Sequence, residues 1–209
     1  MFIEPTLHNT QPKPRFGWIE VVCGSMFSGK TEELIRRVNR ATIAKQKVKI
    51  FKPTIDTRYH KEKVVSHNRN MLNSICVADS SEILAKVTDC DVVAIDEAQF
   101  MDRGLADVCV ALANKGHRVI ICGLDMDYMG KPFGAIPNLM SAAEFVTKLH
   151  AICMQCGDVA SYSYRLTDSD KKVLLGEKND YEARCRKCFV EGMNQKEHHL
   201  SNKKVESEN

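Results

Sequence analysis

The residue pattern with the clearest chemical meaning is a glycine-rich segment, Gly24-Ser25-Met26-Phe27-Ser28-Gly29-Lys30-Thr31. It matches the phosphate-binding pattern G-x-x-x-x-G-K-[ST] at every fixed position. In such a loop the backbone N–H groups and the start of the next helix attract phosphates, Lys30 reaches the β- and γ-phosphates, and Thr31 ligates Mg²⁺. The segment therefore predicts a site for a nucleoside triphosphate with Mg²⁺. The alternative is a glycine turn that merely precedes an ordinary helix.

Two acidic residues form the second element with chemical meaning. Asp96 and Glu97 directly follow the apolar run 92–95, which is typical of a buried strand. Ligands of open α/β sheets bind at the carboxyl ends of the strands. We therefore expect Asp96 to share Mg²⁺ with Thr31, and Glu97 to accept a proton from an attacking hydroxyl or water. The alternative is that both acids only cap the next helix.

Arg58 is the candidate for a cation near the transferred phosphate, because phosphoryl transfer needs positive charge at the equatorial oxygens. It follows Asp56 and Thr57 in a polar segment. Sequence alone favours a solvated surface arginine instead, and the same ambiguity applies to Asp56 and Thr57.

Four of the nine cysteines form two Cys-x-x-Cys pairs, Cys153 with Cys156 and Cys185 with Cys188. Each pair places two thiolates on a tight turn, and two pairs can surround Zn²⁺ as a tetrahedron. Because four thiolates leave no open coordination position, we expect a structural zinc that stabilises a domain too small to have its own core. The alternative is four unrelated buried cysteines.

These side chains need a scaffold, and the sequence predicts alternating strands and helices. The strands lack apolar–polar alternation, which indicates a parallel sheet covered by helices on both faces. Strands are expected at 18–23, 47–52, 91–96, 118–122 and 146–152, and helices from 31 to about 46 and at 80–87, 105–115 and 136–145. Residues 61–74 are charged and irregular and are interpreted as a mobile connection.

The predicted fold class is thus α/β, a parallel sheet around the phosphate-binding loop with helices on both faces, plus a small C-terminal zinc ribbon that carries a long loop. The predicted divisions are a flexible extension at 1–16, the ATP-binding α/β domain at 17–150, the zinc-binding domain at 151–193 and a disordered polar tail at 194–209.

Composition argues against several classes of protein. The chain has 209 residues, of which 44% are hydrophobic, and its 30 basic and 27 acidic side chains leave a formal charge of +3. This balance gives no reason to expect nucleic-acid binding. No apolar run is long enough to cross a membrane, and the N-terminus lacks a signal-peptide core. With nine cysteines and no secretory signal, we expect a reducing compartment, the cytoplasm.

Taken together, the motifs resemble those of the zinc-containing (type II) thymidine kinases of cells and bacteria. The resemblance covers Gly17 to Val190 and depends on G-S-M-F-S-G-K-T, K-P-T-I-D-T-R-Y, I-D-E-A-Q-F, G-L-D-M-D-Y-M-G-K-P-F-G, C-M-Q-C and Y-E-A-R-C-R-K-C. It implies transfer of the γ-phosphate of ATP, with Mg²⁺, to the 5′-hydroxyl of thymidine or deoxyuridine, in nucleotide salvage and DNA precursor synthesis. It also implies a homotetramer and feedback inhibition by dTTP.

The resemblance further implies roles for individual residues. Glu97 matches the family's general base, and Arg58 matches an arginine near the phosphates and the 5′-oxygen. Besides the glycine-rich loop, the ATP-binding set that the resemblance implies includes Asp56, Thr57, Arg58, Asp96, Glu97, Ala98 and Gln99. The residues matching the pyrimidine pocket are Met26, Phe100, Leu124, Tyr128, Phe133, Ser163 and Tyr181.

The segment between the two cysteine pairs resembles the family's lasso, a loop that closes over the nucleoside. Its residues matching those that bind the base through backbone groups are Lys172, Val173, Leu174, Leu175 and Gly176. Tyr128 stands where phenylalanine is frequent and Ser163 where threonine is frequent, so the preference for thymidine over deoxyuridine stays open. From periodicity alone, Tyr128, Phe133 and Tyr181 would be packing residues.

Two other functions are compatible with parts of the pattern. A nucleic-acid-dependent ATPase would use the same acidic pair, but the chain shows no basic stripe with stacking aromatic residues. A non-catalytic zinc-ribbon adaptor would keep nucleotide only as a structural ligand. The presence of Lys30, Thr31, Asp96 and Glu97 together argues against the adaptor.

Overall fold

The computed structural model describes residues 16–55, 63–65, 71–167 and 180–207. Its first eight strands are β1 (Trp18–Gly24), β2 (Val48–Pro53), β3 (Lys63–Val65), β4 (Met71–Asn73), β5 (Ile75–Val77), β6 (Val92–Ile95), β7 (Arg118–Gly123) and β8 (Phe145–Leu149). Six of them form one sheet in the order β5-β2-β6-β7-β1-β8, in which all neighbours are parallel. Strands β3 and β4 form a separate antiparallel pair.

Helices cover both faces of this sheet. They are α1 (Lys30–Ile43), α2 (Ser80–Lys86), α3 (Leu105–Asn114) and α4 (Ile136–Ala142). Helix α1 packs on one face against β2, β6 and β7, and the other three helices pack on the opposite face. Strands β6 and β7 are buried along their whole length, which explains why their sequences are continuously apolar. The predicted α/β class is confirmed.

The end of the sheet domain differs from the prediction. The helix expected at 136–145 ends at Ala142, and Phe145 already belongs to the edge strand β8. The Glu144 carboxylate accepts a hydrogen bond from the Ile19 N–H at 2.7 Å, so the residues after the helix are held beside β1. The strand expected at 146–152 is divided, because residues 151–152 leave the sheet. Strands β3, β4 and β5 were not predicted, and β3 and β4 lie within 61–74, for which an irregular connection was expected.

The C-terminal part contains four short strands and one long helix. Strand β9 (Ala151–Ile152) pairs with β10 (Val159–Ala160), and β11 (Tyr162–Arg165) pairs with β12 (Tyr181–Arg184), both antiparallel. Helix α5 spans Arg186–Ser207. None of the helices in the described ranges is both long enough and apolar enough to span a membrane.

The disordered tail predicted from Asn194 onward is corrected by helix α5, which continues to Ser207. Contacts with β11 hold the helix near the start of this segment. The Tyr164 hydroxyl donates to the Gly192 carbonyl at 3.1 Å, and Lys196 Nζ donates to the Arg165 carbonyl at 2.6 Å. A polar composition predicts no core, but these hydrogen bonds to β11 give the helix specific partners.

Candidate active site

The strand order places the residues predicted to bind phosphate, metal and nucleoside at one edge of the sheet. Strand β7 lies between β6 and β1, and all three run in the same direction. The phosphate-binding loop follows β1, Asp96 follows β6, and the segment that begins at Leu124 follows β7. Because the carboxyl ends of parallel strands meet at the same edge, these three segments are neighbours.

The loop at 24–31 has the geometry of an anion cradle. Gly29 adopts a left-handed conformation (φ 85°) just before α1, and no side chain caps the first turn of that helix. Lys30 Nζ donates to the Ser25 carbonyl at 2.7 Å, and the Ser28 hydroxyl donates to the same oxygen at 2.8 Å. The buried Ser25 hydroxyl has no hydrogen-bond partner among the described residues. An uncapped helix start, a nearby cation and an unsatisfied hydroxyl fit a polyphosphate.

The Cys122 thiol lies near both the phosphate-binding loop and the acidic pair. This thiol lies near the end of β7, between the other two strands. Burial raises its pKa, the Asp96 carboxylate raises it further, and the Lys30 ammonium lowers it. Asp96 and Lys30 are thus both close enough to Cys122 to influence its ionisation. Thr31, the other predicted Mg²⁺ ligand, is the second residue of α1. An oxygen donor set of this kind suits Mg²⁺.

Glu97 has an unusual backbone conformation, and a buried neighbour orients its side chain. Its backbone is left-handed (φ 50°), which is uncommon for a residue with a side chain. Gln99 is 3% exposed, and its Nε2 donates to Glu97 Oε2 at 2.5 Å. The Gln99 Oε1 accepts from the Leu124 N–H at 3.0 Å, which fixes the direction of the amide. The carboxylate is therefore oriented by a glutamine that is itself anchored to the segment after β7.

The segment after β7 is a closed loop that carries predicted pocket residues. The Phe133 N–H donates to the Asp125 carbonyl at 3.1 Å, and the Asp127 carboxylate accepts from the Met129 and Lys131 N–H groups. The Phe133 ring meets that of Phe100 edge to face at 5.7 Å between centroids. Such a loop presents aromatic surface from a restrained backbone, as a flat ligand requires.

The zinc-binding part is bonded directly to the phosphate-binding loop. The Met26 N–H donates to Ser163 Oγ at 2.9 Å. Both residues were predicted to line the pyrimidine pocket, and the structure brings them together. Tyr128 and Tyr181 are also joined, because the Arg165 guanidinium lies 3.6 Å from the Tyr128 ring centroid and donates to the Tyr181 hydroxyl.

The four cysteine sulfurs form a compact cluster. Their Sγ atoms all lie within 4.8 Å of one another, and those of Cys156 and Cys185 are 3.7 Å apart. Zn–S bonds of about 2.3 Å in a tetrahedron give sulfur–sulfur distances of about 3.8 Å. The donor set and the spacing therefore fit a structural zinc ion. All nine cysteines are free thiols, so none of the four is used in a disulfide.

The pKa values of the clustered cysteine thiols also fit a bound metal ion. Burial opposes ionisation of Cys153, but backbone hydrogen bonds outweigh it and lower the pKa of this thiol to about 6. Its hydrogen bond with Cys185, followed by burial, raises the pKa of Cys188 to about 12. Close sulfurs cannot all ionise without a cation between them. A divalent ion removes that conflict and makes four thiolates possible.

The sequence did not reveal which residues hold the predicted site residues in position. Arg165 and Lys196 were not singled out, and Gln99 was predicted only as part of an ATP-binding motif. Asp125, buried after β7, forms an ion pair with Lys148 of β8 at 2.6 Å. No spacing signal identifies such partners, because they come from distant parts of the chain. The predicted residues Asp56, Thr57 and Arg58, and the predicted segment 172–176, lie outside the described residues.

Comparison with known proteins adds independent findings. A family model described as thymidine kinase matches residues 17–189, which include the phosphate-binding loop, the acidic pair and all four clustered cysteines. A protein named thymidine kinase from Bacteroides thetaiotaomicron is 56% identical over 190 residues, covering 91% of this chain and 94% of the relative. One from Rhodothermus sp. is 58% identical over 173 residues, covering 83% and 81%. One from Porphyromonas gingivalis is 55% identical over 175 residues, covering 84% and 86%.

Proposed function

Because the chain belongs to the thymidine kinase family, as its motifs predict, we propose that it transfers the γ-phosphate of ATP to the 5′-hydroxyl of thymidine. Deoxyuridine is a second proposed substrate, and the role is nucleotide salvage for DNA precursor synthesis. The observation that carries the proposal is the meeting, at one sheet edge, of the phosphate-binding loop with Glu97, which Gln99 orients, and with the aromatic residues Phe100 and Phe133.

The first part of the proposed mechanism is the binding of ATP. The amides of the loop at 24–31 hold the phosphates, and Lys30 exchanges the Ser25 carbonyl for phosphate oxygens. Thr31 and Asp96 would hold Mg²⁺, which would supply positive charge to the phosphates. The proposed ATP-binding set extends to Asp96, Glu97, Ala98 and Gln99. It also includes Asp56, Thr57 and Arg58, with Arg58 as the cation beside the transferred phosphate.

The second part is removal of a proton from the nucleophile. Glu97 accepts the proton of the 5′-hydroxyl as that oxygen attacks the γ-phosphorus, and the bond from phosphorus to the β–γ bridging oxygen breaks. The hydrogen bond from Gln99 and the left-handed backbone fix the carboxylate before the substrate arrives. A base that is already oriented avoids the entropy cost of finding its position during reaction.

The third part is recognition of the pyrimidine. We place the base between the closed loop after β7 and strand β11, where Phe133 and Ser163 are located. The proposed nucleoside contacts are Met26, Phe100, Leu124, Tyr128, Phe133, Ser163, Tyr181 and the segment 172–176. Because the Ser163 hydroxyl accepts from the Met26 N–H, its oxygen is directed to the phosphate-binding loop. We therefore expect only moderate discrimination by Ser163 between thymidine and deoxyuridine.

Assembly, regulation and location are proposed from the family resemblance. We propose a homotetramer in the cytoplasm that dTTP inhibits. The assembly is supported by exposed apolar side chains on the β9–β10 hairpin, Ile152, Met154 and Val159, of which Met154 is 70% exposed. Light scattering of the purified protein tests the mass of the assembly, and a dTTP titration of the activity tests the inhibition.

One assay tests the activity against its alternatives. The zinc-loaded protein is incubated with Mg-ATP and thymidine, and thymidine monophosphate is measured together with ADP. Equal amounts of both products support the kinase. Phosphate release that DNA stimulates, without nucleoside phosphorylation, would indicate the ATPase, and neither reaction would indicate the adaptor. Lys30→Ala is the matched negative control, because it removes the cation from the phosphate-binding loop.

A further inference from the structure

Arg165 makes contacts that are unusual for an arginine of a small hairpin. It is 2% exposed, and its guanidinium lies 3.6 Å from the Tyr128 ring centroid. Its Nε and Nη2 donate to the Tyr181 hydroxyl at 3.1 Å and 2.7 Å. Burying a guanidinium is costly unless its hydrogen bonds are well satisfied. The burial of this guanidinium therefore requires a structural reason, and the two tyrosines that it contacts supply one.

The two tyrosines belong to different structural elements. Tyr128 is in the closed loop after β7, whereas Tyr181 begins β12 and is the cross-strand partner of Arg165. The planar guanidinium can stack on one ring while its N–H groups reach the hydroxyl of the other. Lysine cannot do both, since its ammonium is a single point charge. Arg165 therefore fixes the loop and the hairpin relative to each other.

The alternation of β11 places Arg165 on the side of the proposed nucleoside site. Ser163 and Arg165 are two residues apart, so their side chains leave the strand on the same face. Ser163 is bonded to the phosphate-binding loop through the Met26 N–H. The intervening Tyr164 points the other way and donates to the Gly192 carbonyl of α5. One face of β11 thus carries Ser163 and Arg165 toward Met26 and Tyr128. The other face carries Tyr162 and Tyr164, which pack against Phe189 of α5 and against Met126 of the closed loop.

The backbone of Arg165 is anchored as well as its side chain. Lys196 Nζ donates to the Arg165 carbonyl at 2.6 Å and lies 3.4 Å from the Thr167 carbonyl. This lysine is on α5, so the helix holds the end of β11 where the strand leaves the hairpin. The guanidinium is consequently attached to a restrained piece of backbone and has little freedom to follow a displaced tyrosine.

We infer that Arg165 is a positioning residue for nucleoside binding, which holds Tyr128 and Tyr181 in the orientation that the pyrimidine requires. The inference rests on the proposed function, because it gives the two tyrosines a substrate. Arg165 acts through the tyrosines and has no role at the phosphates. Its loss should therefore weaken the binding of the nucleoside and leave the binding of ATP unchanged.

The test measures the two substrates separately. Arg165→Met and Arg165→Lys are compared with the wild type for kcat, KM for thymidine and KM for ATP, with the melting temperature and zinc content recorded. A buried hydrogen bond to a charged group corresponds to about a tenfold to hundredfold change in affinity. We expect Arg165→Met to raise the thymidine KM by that factor and Arg165→Lys by less, with the ATP KM within about twofold.

Arg186→Met is the matched control. Arg186 is exposed, and its guanidinium lies 5.2 Å from the Tyr162 ring centroid in the same part of the fold, on the other face of β11. The Arg186→Met substitution removes an arginine–tyrosine contact and leaves the side chains of Tyr128 and Tyr181 unchanged. We expect both KM values of this variant to match the wild type. An equal rise of the thymidine KM in Arg186→Met and Arg165→Met would overturn the inference.

A double-mutant cycle decides the case if Arg165→Met does not fold. Tyr181→Phe removes only the oxygen that accepts from Arg165, and it is combined with Arg165→Lys. If the arginine acts through that oxygen, the combined rise in thymidine KM is smaller than the product of the single rises. Independent, multiplying effects would overturn the inference, as would an unchanged thymidine KM in a folded Arg165 variant. Failure of the wild type to form thymidine monophosphate refutes the proposed function instead.

Discussion

Replacing Gly134 by alanine should reduce catalysis through a displacement that the structure allows us to measure. Gly134 has a left-handed backbone (φ +57°), and a Cβ added there would lie 2.2 Å from the Gln99 carbonyl oxygen. Real Cβ atoms do not approach other atoms closer than 3.0 Å, so at least 3.0 − 2.2 = 0.8 Å of movement is needed. The atom that must move belongs to the backbone of the residue that orients Glu97.

The expected loss of stability in Gly134→Ala is the sum of two free-energy costs. A left-handed alanine costs about 1–2 kcal/mol, and forcing an extra methyl group against backbone costs about 1–3 kcal/mol. A combined loss near 3 kcal/mol lowers the melting temperature by about 6–12 °C for a chain of this length. For catalysis, misplacing a reacting group by about 1 Å costs up to about a hundredfold. We expect kcat to fall by about tenfold to a hundredfold, measured at a temperature where the variant is folded.

Gly157→Ala measures the cost of the left-handed backbone without the steric cost of the added methyl group. Gly157 also has a left-handed backbone (φ +78°), but a Cβ there would meet no atom within 4 Å. This variant should lose only the first cost, about 1–2 kcal/mol, and should keep the wild-type kcat. A kcat reduced equally in both variants, or a wild-type kcat in folded Gly134→Ala, would show that the position of Gln99 does not control Glu97.

Three further predictions concern the base, the metal and the helix. Glu97→Gln should lower kcat by about a hundredfold to ten-thousandfold with an unchanged ATP affinity, and an equally large loss of ATP binding would contradict its role as base. Cys185→Ser should reduce bound zinc and lower the melting temperature, so wild-type metal content and melting would refute a structural zinc site. Lys196→Met removes a charged donor from the Arg165 carbonyl; it should cost about 1–3 kcal/mol of stability, and we expect no change in the ATP KM.

The sequence predicts best those features that local spacing determines. The phosphate-binding loop and the two cysteine pairs need fixed intervals, and the structure brings each set together. Strands β6 and β7 were predicted because burial on both faces requires continuous apolar residues. The strand β5 has only three residues and follows a polar segment, so no periodic signal could identify it.

Features that depend on distant partners were not predictable in this way. Helix α5 is polar beyond its first turns, and its continuation past Asn194 accompanies hydrogen bonds to β11. Arg165 occurs in the alternating sequence Tyr-Ser-Tyr-Arg, which does not say that the arginine faces inward. Its burial follows from two tyrosines that are far apart in the chain, and a single sequence contains no record of that contact.

The contacts of β11 connect the four-cysteine cluster to the phosphate-binding loop. The strand is paired with β12, whose last residue precedes Cys185 of the four-cysteine cluster. On one face β11 reaches the Met26 N–H of the phosphate-binding loop, and on the other it binds α5, which begins next to the same cysteine. A zinc ion bound by the four cysteines would therefore restrain both supports of the strand. Since Ser163 joins the proposed base pocket to the phosphate-binding loop, a zinc ion without any chemical role in the reaction would still help to fix β11 relative to that loop.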